Sequence, residues 1–246
     1  MKFFEQTGRY LIFMWQVLSR PEKRKVFWRQ LLTEFFAIGV DSFGIVVIIS
    51  IFMGAVVSIL VAYNIDNPLI PMKMVGYSTR EMSILEFSPT MISLILAGKV
   101  GSSIASQVGT MRVTEQIDAL EIMGINPANF LVFPKLIAAI LINPALIVFS
   151  MVVSIFGGYL VATFTNLFTP AEYILGLRSW FDAFTVFYAL IKTVVFAIII
   201  VSMAGFQGYI IKGGSIEVGR ASTKAVVYAS ILIIVFNLIL TQTILI

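Results

Sequence analysis

Cysteine and histidine are both absent from this sequence of 246 residues. Without cysteine there can be no disulfide, iron–sulfur cluster, thiolate zinc site or cysteine nucleophile. Without histidine there is no haem or histidine–zinc ligand, no Ser-His triad and no general base with an ordinary pKa near 7. These absences argue against an enzyme, and we expect no catalytic residues, no metal site and no cofactor bound by the chain itself.

Charge is scarce as well. Charged residues make up 12% of the chain, about half the share usual in soluble domains, whereas hydrophobic residues make up 59% and the mean hydropathy is +0.98. A soluble fold of this size has too little interior to bury so much apolar surface. The formal net charge is only +4 and gives no indication of nucleic-acid binding. We therefore expect the chain to be a membrane protein.

Long runs without charge predict five transmembrane helices, because about 20 apolar residues cross the ~30 Å of hydrocarbon in a bilayer. Four candidates lie in the uncharged runs 42–65, 136–171, 193–211 and 225–246. The run 136–171 is too long for one straight span, so we place one span near 138–163, with a kink at Pro144. The remaining candidate, 84–108, is interrupted by Glu86 and Lys99.

The distribution of lysine and arginine predicts the orientation of these spans. Seven basic residues precede the first span, and the loops at about 109–135 and 212–224 carry five more. The loops at about 64–83 and 165–183 carry three, and the tail after the last span carries none. We therefore expect a cytoplasmic N-terminus and a C-terminus on the outer, periplasmic side.

The first 20 residues have the pattern of an amphipathic helix that Pro21 ends. On a helical wheel one side is apolar (Phe3, Phe4, Tyr10, Leu11, Met14, Trp15, Leu18) and the other polar (Lys2, Glu5, Arg9, Gln16, Arg20). Such a helix lies in the membrane interface or packs on a partner in the cytoplasm. We expect residues 1–40 to form an interfacial N-terminal segment and residues 41–246 a five-span domain.

The loop after the second span predicts a short helix from about 114 to 124. Thr114 can cap its beginning, with Glu115 in the first turn and Asp118 just beyond it, and Gly124 and Asn126-Pro127 can end it. So short a helix is marginal in water, and we expect it to dock a cytoplasmic partner; the alternative is a helix folded onto its own bundle.

No phosphate-binding loop of the form G-x-x-x-x-G-K-[ST] is present. The nearest approaches, Gly214 to Arg220 and Gly98-Lys99, lack required residues. An ATP-driven function would therefore need a separate nucleotide-binding subunit.

Three charged residues, Glu86, Lys99 and Lys192, fall inside or close to predicted spans. Charges within a membrane are costly and usually face a cavity or a partner, although a lysine near the interface can also extend its ammonium to the surface. A second pattern in the same region is a stripe of small residues at four-residue spacing: Ala97, Gly101, Ala105 and Gly109. Such stripes let helices approach closely in lipid, either within one subunit, at a dimer interface or along a transport pathway.

Several segments between residues 86 and 227 resemble the MlaE/YrbE permease family of MCE-associated ABC lipid transporters. The similar segments are Glu86-Phe-Ser-Pro89, Ala97–Ser102, Gly109–Leu120, Met123–Pro127, Pro134-Lys135, Ile191–Phe196 and Gly219–Val227. The sequence departs from the family pattern at Lys99 and Lys135, where arginine is usual, and at Leu85, where an arginine often precedes the glutamate.

The resemblance implies an all-α permease of a bacterial inner membrane, a homodimer that moves phospholipid or another hydrophobic lipid. It implies that a cytoplasmic ATPase binds the ATP and docks at the helix 114–124, with Arg112, Glu115, Asp118, Glu121 and Gly124 as coupling residues. An MCE-domain lipid-binding protein would meet the outer side. From their charges within the membrane we expect Glu86, Lys192 and Lys99 to serve the lipid pathway; the alternative is that Glu86 and Lys192 only hold helices together. The alternatives from the residues alone are an ion-coupled secondary transporter or channel, with Glu86 and Lys192 as a relay, and a structural subunit of a membrane complex.

Overall fold

The computed structural model describes residues 2–19, 24–65 and 70–245, and this part of the chain contains eight helices and no strand. The helices are α1 (Lys2–Val17), α2 (Arg24–Asn64), α3 (Lys73–Val113), α4 (Gln116–Ile122), α5 (Pro127–Phe164), α6 (Pro170–Arg178), α7 (Ala183–Tyr209) and α8 (Ser215–Leu245). Five of them, α2, α3, α5, α7 and α8, are long and apolar enough to cross a membrane. The prediction of an all-α membrane protein with five spans and an N-terminal helix is confirmed.

The helices extend well beyond the uncharged runs of the sequence. Lys73 and Arg80 belong to α3, Lys135 belongs to α5 and Lys224 to α8, so the predicted loop limits at these places were wrong. The physical reason is that absence of charge marks only the part of a helix within hydrocarbon. With 41 residues, α2 is about 60 Å long, twice the hydrocarbon thickness.

The predicted boundary between the two segments falls inside a helix, because α2 runs without a break through residues 40 and 41. Pro144, where a kink was predicted, lies inside the continuous helix α5. The division into an N-terminal segment and a five-span domain stays a prediction.

The core of the bundle is built from two pairs of parallel helices, α2 with α5 and α3 with α7. In the first pair the backbones nearly touch, since a Cβ atom at Gly54 would overlap the carbonyl of Ser154 and one at Gly157 the carbonyl of Ile51. Helix α7 lies centrally, in contact with α3, α5 and α8. This arrangement places residues 113, 127, 209 and 215 at one end of the bundle, the α4 end, and the short helix α6 at the other, the α6 end.

Helix α1 presents three distinct faces. Phe13 and Val17 are buried against the bundle, and the Tyr10 hydroxyl donates a hydrogen bond to Ser202 Oγ at 2.8 Å. A second face exposes Phe4, Leu11 and Trp15, and the polar side, with the Glu5–Arg9 ion pair, lies between these two on the helical wheel. Such a helix suits a position at the membrane surface, which stays a prediction. Arg20 and Pro21 lie outside the described residues.

At the opposite end, α6 was not predicted as a helix, although its sequence carries a capping box. The Thr169 hydroxyl accepts a hydrogen bond from the Glu172 amide, and the Glu172 carboxylate accepts one from the Thr169 amide. The Thr169 hydroxyl also donates to the Glu172 carboxylate, and this bond, together with the one from the Thr169 amide, holds the pKa of Glu172 below its usual value. Arg80 of α3 is buried and holds the C-terminal end of α6 against α3, because it donates hydrogen bonds to the carbonyls of Leu177, Ser179 and Trp180.

Candidate functional site

Helix α3 is not a regular α-helix where it carries its two intramembrane charges. Residues Ser83–Met91 and Ala97–Gly101 form π-helical turns, and they contain Glu86 and Lys99 respectively. Such wide turns are frequent at functional sites. Pro89 lies in the first of them and has no N–H to donate to the carbonyl of Leu85, its partner in a regular α-helix. The ammonium of Lys192 donates a hydrogen bond to that carbonyl instead, at 3.1 Å.

Glu86 and Lys192 form an ion pair between α3 and α7. Lys192 Nζ lies 2.8 Å from Glu86 Oε1, and it also lies over the ring of Tyr188, 4.7 Å from the ring centroid. The Lys192 side chain is completely buried, whereas 44% of the Glu86 side chain is exposed. The structure therefore brings together two residues for which the sequence could establish no contact, and the carboxylate forms the accessible side of the pair.

Further polar side chains complete this site. Asn237 Nδ2 on α8 donates to Glu86 Oε2 at 3.0 Å, and the Thr90 hydroxyl lies within hydrogen-bonding distance of the same oxygen. The Tyr188 hydroxyl shares a hydrogen bond with Thr241 Oγ1 at 2.7 Å. We call these six residues the polar cluster: Glu86, Thr90, Tyr188, Lys192, Asn237 and Thr241.

Sequence reasoning missed four members of the polar cluster. Asn237 left a signal, because it is the only polar residue in the apolar run 231–240. Tyr188, Thr90 and Thr241 left none, since aromatic and hydroxyl side chains are ordinary in membrane helices.

The polar cluster lies in the half of the bundle towards the α6 end. Lys192 follows the first residue of α7 by nine positions, which is about 14 Å at 1.5 Å per residue. A fully desolvated cation is tolerated only with close partners, and here its main partner is a carboxylate that reaches the protein surface. A ligand with an anionic group can therefore approach the cluster from the side of Glu86 and compete for the cation.

Lys99 does not belong to the polar cluster. It lies 13 residues further along α3 than Glu86, roughly 15–20 Å away, and its ammonium donates to the backbone carbonyl of Asp41 on α2. The structure thus separates Lys99 from the two residues with which the prediction had grouped it.

The stripe of small residues on α3 is covered by helices of the same chain. Ala97 and Ala105 are completely buried, and Gly101 faces Ile200 of α7. A Cβ atom at Gly109 would overlap the end of the Ile211 side chain and press on Val218, so these two side chains pack directly against the glycine. The close packing lies within one subunit; a contribution to a dimer interface stays a prediction.

The predicted short helix after α3 exists as α4, but its beginning differs from the prediction. Thr114 does not cap α4: it ends α3, and its hydroxyl donates back to the Thr110 carbonyl. Glu115 precedes α4 in the left-handed conformation with φ 59°. The reason is that α3 continues to Val113, which leaves only two residues for the turn between the helices.

Helix α4 is fastened to the bundle on one side and open on the other. The Asp118 carboxylate lies 2.6 Å from Arg112 Nη1, and the Glu121 carboxylate accepts a hydrogen bond from the Tyr209 hydroxyl. Ile117 is buried, whereas Ile122 and Met123 are 89% and 63% exposed. Gly124 then leaves the helix with φ 76°, a conformation that favours glycine.

Comparison with known proteins relates most of this architecture to one family. The family described as "Permease MlaE" matches residues 31–243. A probable ABC transporter permease protein of Rickettsia prowazekii is 32% identical over 98% of this chain and 93% of its own length. The intermembrane phospholipid transport system permease protein MlaE of Haemophilus influenzae is 26% identical over 97% of this chain and 92% of its own.

A relative from a plant chloroplast, the protein TRIGALACTOSYLDIACYLGLYCEROL 1 of Arabidopsis thaliana, is 29% identical over 92% of this chain and 65% of its own length. The match to the family covers all five membrane-spanning helices, α4 and α6. The chain therefore belongs to the MlaE permease family and is a multi-pass membrane permease of an ABC transporter, a transport subunit and not an enzyme.

Proposed function

We propose that this permease moves phospholipid, or a related hydrophobic lipid, between a bacterial inner membrane and an MCE-domain lipid-binding protein. A separate ATPase subunit binds and hydrolyses the ATP. The name of the Haemophilus relative, a phospholipid transport permease, supports the choice of substrate. The polar cluster is the single observation that carries the proposal.

The polar cluster suits a phospholipid headgroup because its cation is buried and its anion is accessible. A lipid phosphate that enters beside Glu86 replaces the carboxylate as the partner of Lys192, while Asn237 and Thr90 offer further hydrogen bonds. The surrounding helices are apolar and accommodate the acyl chains. A site with one exchangeable ion pair between apolar helices favours a lipid over a hydrated ion.

The remaining parts of the assembly follow from the two ends of the bundle. In our proposal the α4 end is cytoplasmic and the exposed side of α4 docks the ATPase, while the α6 end faces the MCE-domain protein. A second copy of the chain covers apolar surface on α8 and α2. These are the spans least buried by their own bundle, since only 17% and 33% of their most apolar segments are buried within the chain.

The proposal is tested by neutralising the ion pair while its shape is kept. In the double variant Lys192→Met/Glu86→Gln, we expect lipid transport to be lost while the protein still assembles in the membrane. Capture of phospholipid by a photo-reactive amino acid at Met91, which is exposed and adjacent to Thr90, reports on binding directly. The matched control is Ser83→Ala, which removes a buried hydrogen bond between α3 and α5 one turn from Glu86.

A charge swap separates lipid binding from a purely structural role. Glu86→Lys/Lys192→Glu retains an ion pair between the same two helices but moves the cation to the exposed position. If the swap restores transport and lipid capture to the level of the unmodified protein, the pair only holds helices together and the headgroup site is wrong. We expect assembly to recover and transport to stay lost.

A further inference from the structure

A cavity lies at the α4 end, at the opposite end of the bundle from the polar cluster. It has a volume of about 340 Å³ and is enclosed by the first turns of α2, the last turns of α3 and the first turns of α5. Its walls are mainly apolar, with Val108, Phe130 and Leu131 among them. A cavity of this size with a few convergent polar groups is typical of a site for a small molecule or a headgroup.

The polar groups of this cavity converge on Lys135. This lysine is 4% exposed, and its ammonium pairs with the Glu34 carboxylate and donates to Gln107 Oε1. An ammonium carries three donors, so these two bonds leave one N–H available for a ligand. The cavity therefore contains a buried cation with remaining hydrogen-bonding capacity.

Arg29 adds a second cation at the edge of the same cavity. Its side chain is exposed and forms no ion pair or side-chain hydrogen bond with the rest of the described chain. With Lys135, Arg29 and Glu34 together, the lining has a net positive charge of one. An arginine fork is suited to two oxygens of a phosphate.

The sequence places this cavity at the level of lipid headgroups. Lys135 is the last charged residue before the uncharged run 136–171, and Asp41 is the last before the run 42–65. Glu34 and Arg29 precede Asp41 on α2, so the cavity begins where the hydrocarbon ends. Basic pockets between transmembrane helices at this depth hold the headgroups of anionic lipids.

We propose that this cavity binds the phosphate of a phospholipid from the leaflet at the α4 end, through Arg29 and the free donor of Lys135. The apolar walls hold the glycerol and the beginning of the acyl chains. The permease then has two phosphate sites on opposite sides of the membrane, and this one does not depend on the polar cluster.

Native mass spectrometry of the full-length chain in detergent tests the proposal, with phosphatidylglycerol, diacylglycerol and inorganic phosphate as probes. All proteins tested carry Lys192→Met/Glu86→Gln, so that the polar cluster contributes no binding. Failure of the site at Lys135 and Arg29 is then distinguished from failure of the headgroup site at the polar cluster. We expect phosphatidylglycerol to bind this background, and Arg29→Gln to weaken binding roughly tenfold or more, the effect of one lost charge-assisted hydrogen bond. Diacylglycerol has no phosphate, so it should bind the background protein no better than it binds the Arg29→Gln variant.

The control is Lys212→Gln, which removes the same charge from an exposed position at the same end. Equal losses in Arg29→Gln and Lys212→Gln would mean general attraction to the membrane charge and would overturn the site. Equal affinity for inorganic phosphate would mean a site for a free anion. If Arg29→Gln leaves lipid binding intact but reduces capture of the ATPase, the cavity is a protein contact and the proposal is wrong.

Discussion

At the residue scale, the ammonium of Lys192 is the group that the membrane penalises most, and each of its three donors has a partner or an aromatic face. One bonds Glu86 Oε1, one bonds the Leu85 carbonyl that Pro89 cannot serve, and the ring of Tyr188 lies 4.7 Å away. Only the bond to Glu86 involves a side chain that reaches the surface. A phosphate can therefore exchange with one partner while the other two keep the cation in place.

Variants of Tyr188 test whether its aromatic ring helps to hold the Lys192 ammonium in place. Tyr188→Phe loses the hydrogen bond to Thr241 but keeps the aromatic face, which is worth up to about 2 kcal/mol to a desolvated cation. Tyr188→Leu loses both. We expect lipid capture at Met91 to stay near normal in Tyr188→Phe and to fall several-fold in Tyr188→Leu. Phe187→Leu, at an exposed neighbour on α7, controls for loss of a ring; equal capture in both Tyr188 variants would contradict the role of the ring.

The sequence predicts the members of this site only in part. Glu86 and Lys192 stand out because charge is rare in apolar runs, but their contact joins residues 106 positions apart, and helix rotation decides it. The π-helical turn around Glu86 shifts the facing of every residue after it on α3, so a regular 100° wheel cannot place Thr90. Lys99 was grouped with the pair for its charge alone, and the structure places it against α2.

At the scale of the helices, α4 has a polar inner side that contacts the ends of α3 and α7 and an apolar outer side that is exposed. Its inner side is held by Asp118 and Glu121 against Arg112 and Tyr209, and its outer side exposes Ile122 and Met123. Movement of α4 therefore acts directly on the ends of α3 and α7, the two helices that carry the ion pair of the polar cluster. If an ATPase docks on α4, as we propose, this connection couples it to the polar cluster.

Variants of α4 should separate docking from internal fastening. Ile122→Ser/Met123→Ser removes apolar surface worth about 1.5–3 kcal/mol per side chain when buried, and we expect at least a tenfold loss in co-purified ATPase. Glu115→Lys should act in the same direction, because Glu115 is exposed and has no partner in the described part of the chain. Asp118→Lys should also release α4 from Arg112. Leu175→Ser on α6, where the leucine is about as exposed as Met123, is the control; normal ATPase capture by the Ile122/Met123 variant would contradict docking at α4.

Predicting membrane-spanning helices from the sequence succeeds for their number and fails for their ends. Uncharged runs identify the hydrocarbon segments of α5, α7 and α8, but the first turns of α5 hold Lys135 and those of α8 hold Arg220. These charges lie beyond the hydrocarbon, so the helix can continue through them without taking a charged side chain out of water. Helix α6 was missed because its nine residues carry no long apolar run, although Thr169 and Glu172 form a capping signal that a local search can find.

At the scale of the whole molecule, the two ends of the bundle differ in charge and in architecture. The α4 end carries the first turns of α2, α5 and α8 with their basic residues and the cavity beside Lys135, whereas the α6 end is covered by the short helix held by Arg80. Excess positive charge marks the cytoplasmic side of a membrane protein. From this rule we predict that the α4 end is cytoplasmic, so that the two proposed phosphate sites would face different leaflets, with the polar cluster towards the outer one.

The absence of cysteine allows this orientation to be tested residue by residue. Single cysteines at Glu5 on α1 and Ile122 on α4 should react with a membrane-impermeant maleimide only after the cytoplasmic side is opened, and one at Leu175 on α6 should react in intact cells. All three side chains are exposed, so lack of reaction reflects the side of the membrane and not burial. Labelling of Glu5→Cys and Ile122→Cys from outside would place α4 away from cytoplasmic ATP. That result would remove the ATPase from α4 and exchange the leaflets of the two phosphate sites, while the packing of the five helices would stay as described.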